Sequence, residues 1–466
     1  MKKIFWLICF FNLTALLFAQ SKIESDFPWV KNVGAHSFPS SQKIYNVEDY
    51  GAVGDGVFLN TTAIQKTIDE AEANGGGTIT FKPGIYLTGS VFIGNNINFN
   101  IPKGTMLLGS QNIDDYQRID TRVAGIEMKW PAALINIVNK KNAAITGDGV
   151  INGKGKIFWD KYWSMRKEYE PKGLRWIVDY DCERPRGILV SDSEDVTIKG
   201  VVLYQPGFWS VHVLYSKFVT IDGVIISNNI EGRGPSTDGI DIDSSSQILV
   251  QNSIINCNDD NFCLKSGRDS DGLRVNRPCE YIVIRDCVAE HGAGLLTCGS
   301  ETSGGIRHIV GYNLTGNGTS NGLRFKSTVQ RGGTIEDIYM YNIDLKNVAY
   351  PIVVDLNWNP AYSTSILPKE YDIQTVPEHW KKLLGKVDIK EGTPKFQDIK
   401  FENIKASGAK TCIIAVGIET STLENFTLTN VHLQGNEAGK IDFSKDWTFK
   451  DFKIEAPDKI VVSNSK

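Results

Sequence analysis

Five aspartates in two short runs carry the densest chemistry in this chain. The first run is STDGIDID, residues 236–243, with Asp238, Asp241 and Asp243; the second is NDDNFCLKSG, residues 258–267, with adjacent Asp259 and Asp260. Like charges brought this close raise at least one pKa, so that one carboxyl keeps its proton near neutral pH while a neighbour stays ionised. Cleavage of a glycosidic bond needs that combination, an acid for the leaving oxygen and a base or nucleophile on the other side of the sugar. Asp at a bend also serves simply to satisfy backbone groups, a role that suits Asp241 and Asp243.

What positions these runs is a repeat. Apolar residues alternate and end on Gly, Asn or Asp: Val196, Ile198, Gly200; Val219, Ile221, Gly223; Ile248, Val250, Asn252; Ile282, Ile284, Asp286. The pattern continues as Ile309, Gly311, Asn313; Ile338, Met340, Asn342; Ile399, Phe401, Asn403; Phe426, Leu428, Asn430, with Ile145 and Gly147 as a looser early copy. Successive copies lie 23, 29, 34, 27, 29, 61 and 27 residues apart. Period-two alternation predicts short strands with one buried face, and Gly or Asn at the end suits a left-handed bend. Each coil then buries its apolar face only against its neighbours, which is the logic of a solenoid. The fold class is all-β, a parallel β-helix. Asp238 and Asp260 are 22 residues apart, one coil, so their side chains share a face about 4.8 Å apart.

Other segments frame the repeat. Thr61 and Thr62 lead into Ile64, Ile68 and Ala71 at helical spacing, with Asp69 and Glu70 opposite. This is a short N-terminal amphipathic helix able to cap the open end of the solenoid. The 61-residue gap before Ile399 reads as one extra coil plus a loop. Aromatic-rich stretches at 158–180 and 358–380 read either as walls beside a groove or as packing on the flank.

Residues 1–20 read as a signal peptide, with Lys2 and Lys3, an apolar run over 4–18 and a cleavage site at Ala19 and Gln20. Residues 21–45 are an N-terminal extension and 46–466 a single catalytic β-helix. The expected place is the periplasm or the medium, without membrane insertion after cleavage. Loss of Lys2 and Lys3 takes the formal charge from −4 to −6, which excludes a generally basic, nucleic-acid-binding surface. Cys182, Cys257, Cys263, Cys279, Cys287, Cys298 and Cys412 remain, without metal-ligand spacing; small buried apolar roles suit them.

The ordered motifs STDGID, NDDNFCLKSGRD, RPCE, CGSETSGG, GLRFK and QRGG resemble the polygalacturonase family of glycoside hydrolases. YGAVGDG, GGGTITFKPGIY and GDGVINGKG extend the resemblance over nearly the whole mature chain. It implies a right-handed β-helix and inverting hydrolysis of α-linked galacturonic acid in an acidic plant cell-wall polysaccharide, with no metal or other cofactor and a monomer as the working unit. By resemblance Asp259 is the general acid, and Asp238 and Asp260 hold and activate water. Arg324 and Lys326 of GLRFK pair with a substrate carboxylate, for which a guanidinium and an ammonium are apt. Tyr350 matches the family's active-site tyrosine.

The family's Gly-His-Gly is absent. In HGAGLLTCGSE, residues 291–301, Ala293 falls at the histidine position and His291 lies two residues earlier, about 6–7 Å along a strand and too far for the same hydrogen bond unless the backbone bulges; His291 is a candidate substrate contact. Ser236 and Asn258 replace the usual Asn and Gly. An intact acid–base set in altered surroundings points to a rhamnogalacturonan or decorated galacturonan rather than plain polygalacturonate. Two other readings are a calcium-dependent lyase, with Asp238, Asp241 and Asp243 as ligands and Arg324 as base, and a binding protein without turnover.

Overall fold

The computed structural model describes residues 19–229 and 232–466; the expected signal peptide, apart from its last two residues, lies outside them. The repeat copies stack as the rungs of one parallel ladder. Val196 pairs with Val219, Val219 with Ile248, Ile248 with Ile282 and Ile282 with Ile309. Ile309 then pairs with Ile338, Ile338 with Ile399 and Ile399 with Phe426. The loose copy is in register too, since Ile145 pairs with Ile198. These inward side chains are buried and form one continuous core along the axis. The chain is therefore a parallel β-helix.

The residue that ends each copy sits in the left-handed backbone region, from Gly200 (φ 80°) and Gly223 (φ 65°) to Asn430 (φ 51°). Where that residue is polar, its side chain reaches the next coil. Asn313 Nδ2 donates to Asp286 at 2.8 Å, Asn342 to Asn313 at 2.6 Å, Asn403 to Asn342 at 3.0 Å and Asn430 to Asn403 at 3.0 Å. Asn tolerates the bend and carries both donor and acceptor, so one residue type serves geometry and stacking.

Helix Thr61–Ala73 buries Ala63, Ile64, Thr67, Ile68 and Ala71 over the first coils, as the amphipathic spacing requires. The first paired strand is Ile44–Asn46, against Gly77–Thr80, so the coils begin two residues before the expected boundary. The extension is a strap along the flank. Gly34 N donates to Gln247 O, Ala35 N to Thr220 Oγ1 and His36 N to Asp195 Oδ1.

One sequence expectation fails. The 61-residue gap adds no coil, because Ile338 pairs directly with Ile399 and Ile352 with Ile413. The extra length is an excursion at 356–394 carrying the short helices Pro360–Ser363, Glu378–Leu383 and Ile389–Gly392. All seven cysteines after residue 18 are buried and unpaired.

Candidate active site

Three excursions leave the coils on the same side. They are the antiparallel hairpin Arg118–Val123 and Ile126–Pro131, the helical segment 156–181, and 356–394. Their apolar residues form a second core with Trp130, Trp176, Tyr180, Phe208, Trp209 and Trp380. Trp176 and Trp380 lie edge to face at 5.5 Å, Trp176 Nε1 donates to Ile366 O at 3.0 Å, and Trp380 Nε1 donates to Asp181 at 2.9 Å. The stretches 158–180 and 358–380 do both things the sequence allowed: they pack on the coil residues Phe208 and Trp209, and they line a cleft through Arg175, Asp179, Trp358 and Tyr362.

The walls cover the outward face of three successive coils. Strand residues are buried throughout five successive coils, Ile188–Ser191, Val211–Leu214, Ile240–Asp243, Asp260–Lys265 and Gly294–Cys298; over the first three the cover is the hairpin, with Arg122 Nη1 2.9 Å from Asp243 and its carbonyl accepting from Arg186 Nη1 at 3.3 Å. A groove along the sheet is therefore blocked on the N-terminal side of the aspartates. Toward the C-terminus, Arg324 and Tyr350 retain exposure. Between wall and open side lies a cleft of about 250 Å³ lined by Asp238, Asp259, Asp260, Arg324 and Lys326, with Ala293 in its side.

Within the cleft the carboxylates are unequal. Oxygens of Asp238 and Asp260 lie within 4.8 Å of each other. Asp260 is fully buried, its Oδ2 2.8 Å from Lys326 Nζ and its Oδ1 3.3 Å from Arg324 Nη1. Burial opposes its ionisation, but the Lys326 and Arg324 charges outweigh that and hold its pKa well below the usual carboxylate range. Asp238 is pushed well above that range by burial, then by the charges of Asp259 and Asp241. Asp259 is raised by burial and by Asp260, and it is the only one of the three with appreciable exposure to the cleft. Gly294 faces Asp260 in the next strand, where a Cβ would sit 2.7 Å from Asp260 Oδ1. The bare backbone there makes room for the carboxylate.

Asp241 and Asp243 are not bend residues. Both lie within a strand, Asp241 3.6 Å from Lys265 Nζ and Asp243 2.9 Å from Arg122 Nη1. Lys265 also meets Glu301 at 3.2 Å and Asp238 at 4.0 Å. His212 is buried between Arg186 and Asp243, and burial pushes its pKa down to about 4.

Two expected substrate contacts do not line the cleft. His291 sits exposed at a left-handed bend (φ 63°) with its ring against Gly318; only its carbonyl faces the site, accepting from Asn261 Nδ2 at 2.9 Å. A two-residue offset was too large for the backbone to absorb. Tyr350 follows Asp260, Gly294 and Asn321 in register, three strand steps or about 14 Å away, on the open side. Conversely, Arg175, Asp179, Trp209, Trp358, Asn359 and Tyr362 line the cleft without having been singled out, and aromatic richness was their one signal. Trp358 lies over the cationic pair, its ring 4.4 Å from Lys326 Nζ.

Asp238, Asp260 and Cys263 could together offer a metal three ligand atoms. Asp260 already holds two cations, and burial pushes the Cys263 thiol well up. A hard dication seeks six or more oxygens, and this donor set does not fit one.

The family model for glycosyl hydrolases family 28 matches residues 95–411. The chain belongs to that family. A model for rhamnogalacturonase A/epimerase, pectate lyase-like, matches residues 44–124. A probable polygalacturonase of Vitis vinifera is 29% identical over 336 residues, 70% of this chain and 65% of that relative, so the chain spans slightly less than two thirds of its length. An exo-poly-alpha-D-galacturonosidase of Dickeya chrysanthemi is 26% identical over 84% of this chain and 71% of its own. The exopolygalacturonase structure from Thermotoga maritima superposes with a TM-score of 0.78 over 93% of this chain and 96% of that one, at 24% identity, a likeness of fold. This family 28 glycoside hydrolase thus shares the coil fold of that structure, and its walls line its cleft.

Proposed function

We propose that this family 28 enzyme hydrolyses α-linked galacturonic acid bonds near one end of a decorated galacturonan or a rhamnogalacturonan, with inversion. Asp259 is the general acid: its raised pKa keeps a proton to give, and its exposure puts that proton within reach of a glycosidic oxygen. Asp238 and Asp260 lie close enough for both to hydrogen-bond one water, and together they orient it and accept its proton as it attacks. Arg324 and Lys326 keep Asp260 ionised and face the substrate's carboxylate. The observation that carries this reading is the asymmetry of three adjacent carboxyls: Asp260 is buried and held by Lys326 at 2.8 Å and Arg324 at 3.3 Å, while Asp238 and Asp259 have no such cation pair and their pKa values are raised by burial and by their neighbours' charges.

Two features refine the substrate. The blocked N-terminal side of the groove supports action at a chain end, in keeping with the name of the Dickeya relative. Ala293 in the cleft wall leaves space where the family resemblance puts an imidazole, space that a side group or a different sugar can fill. Elimination is disfavoured because Asp238 and Asp241 share Lys265 and Asp243 is held by Arg122, which leaves no set of free carboxylates to surround a calcium ion. Export rests on the 1–20 segment; among the described residues no helix is long and apolar enough to cross a membrane.

Mass spectrometry of products from a panel of pectic fractions and defined oligosaccharides tests the proposal. Release of one short product from decorated substrates, faster than from unsubstituted polygalacturonate, is expected. Fastest turnover on plain polygalacturonate would overturn the substrate choice. A product absorbing in the ultraviolet and lost with chelator would mean elimination.

A further inference from the structure

The cleft has cations at both ends. On the open side stand Arg324 and Lys326. At the blocked end stands Arg175, the first residue of the turn Arg175–Ile177, where the first helical wall meets the second. Trp176 and Ile177 are buried in the wall core, which fixes the turn and leaves the Arg175 side chain 17% exposed in the cleft. Its guanidinium lies over Tyr362, 5.0 Å from the ring centroid. Nη1 donates to Asp179 at 2.9 Å, and Nε is 3.7 Å from Glu170; among the described residues Nη2 has no hydrogen-bond acceptor.

Three guanidiniums, Arg166, Arg175 and Arg184, meet two carboxylates at this end, Asp179 and the more exposed Glu170. Asp179 is buried and ionised, its pKa held down to about 2 by Arg175 and Arg184 against the cost of burial. Asp179 also accepts from Ser236 Oγ at 2.8 Å, which ties the wall to the Asp238 run. One buried carboxylate thus serves two guanidiniums, and the outer one keeps an unspent fork edge toward the cleft. A guanidinium edge of this kind matches a carboxylate in shape and charge. From Asp241 to Arg324 the register runs through Cys263 and Thr297, three steps or about 14 Å. Arg175 stands beside the first of these coils through Asp179 and Ser236, and Arg324 on the last, 3.3 Å from Asp260, so the acid cluster lies between them.

We infer that Arg175 is a specificity-determining residue: it receives the carboxylate of the sugar at the blocked end, across the cleaved bond from the sugar held by Arg324 and Lys326. The substrate then carries acid groups on both sides of the bond, which among the proposed substrates selects a decorated galacturonan backbone over an alternation of acidic and neutral sugars. The inference rests on the reading of the site as a galacturonan hydrolase, so its test reads binding, which does not require turnover.

The probes are trigalacturonate and two forms methyl-esterified only at one terminal residue, titrated calorimetrically into Asp259→Asn protein with and without Arg175→Met. With Arg175 present, one terminal ester is expected to weaken binding about 10- to 100-fold, the loss for one charge-assisted contact. Arg175→Met should weaken trigalacturonate by the same factor and leave that ester's affinity unchanged. Arg175→Lys should restore part of the preference. Equal weakening of acid and ester forms by Arg175→Met would mark a merely structural arginine and overturn the inference. So would indifference of the Arg175-containing protein to either terminal ester, a result that needs no second variant to fold. A preserved ester preference in a protein inert on every pectic substrate would sink the hydrolase reading and leave Arg175 as a uronate contact.

Discussion

Two stacks of polar side chains run along this solenoid and obey opposite rules. On the bend flank, Asp286, Asn313, Asn342, Asn403 and Asn430 pass hydrogen bonds from coil to coil. Asn has a donor and an acceptor at the same end, so each added coil extends the ladder without adding charge. In the cleft, Asp238, Asp259 and Asp260 come together in adjacent coils with acceptors only, and repulsion follows. The site answers with two cations on Asp260, while burial and the neighbouring charges raise the pKa of Asp238 and Asp259. The first stack stabilises the fold; the second stores an acid and a base side by side at a cost in stability. Chemistry sits where the stacking rule is broken.

The largest effect expected from breaking the comparison is at Asp259. Asp259→Asn keeps the shape and removes the proton donor, so kcat should fall about 10²- to 10⁴-fold with an unchanged circular dichroism spectrum and melting temperature. Lys326→Met comes next. Asp260 is useful only while ionised, and its depressed pKa keeps it so down to low pH. Removal of the ammonium raises that pKa, so the acid limb of the kcat/KM profile should move to higher pH. An acid limb that stays in place would show that Lys326 does not control Asp260.

On the flank the outcome should be reversed. Asn342→Ala loses two ladder bonds and strains a left-handed bend, at about 2–3 kcal/mol; Asn342→Gly, which relieves the strain, should cost less. Denaturant unfolding would read both, with kcat unchanged. The smallest expected effect belongs to Asp241, raised well above the usual range by burial despite Lys265. A raised carboxyl binds a proton more tightly in the folded state, so its contribution is present at low pH and lost as pH climbs through the raised pKa. Asp241→Asn should therefore melt higher than the native protein at pH 9 and the same at pH 4.

The same contrast separates what could be read from sequence. Eight strand copies and their bends were legible because the interior is repetitive, each copy having one apolar pair and ending on a Gly, Asn or Asp in the left-handed region. The spacing of Asp238 and Asp260 was legible for the same reason, a coil being one rung. The gap before Ile399 was misread because chain length does not distinguish a new rung from a long excursion on an old one. Arg175, Trp358 and Tyr362 were illegible as site residues, since they come from irregular walls whose contacts span up to 255 residues, as between Lys382 and Glu127. His291 failed because a bend, not a strand face, sets its direction. Lys265 and Glu301 stood inside quoted motifs, yet nothing in their spacing announced a shared ion pair.

The central claim is that Asp238 and Asp260 share a water on one side of the sugar while Asp259 protonates the leaving oxygen from the other. Proton NMR of the first product released from an α-linked galacturonate oligosaccharide tests it most directly, before mutarotation sets in. The account predicts the β-anomer; an α-anomer would require a covalent intermediate and would contradict it.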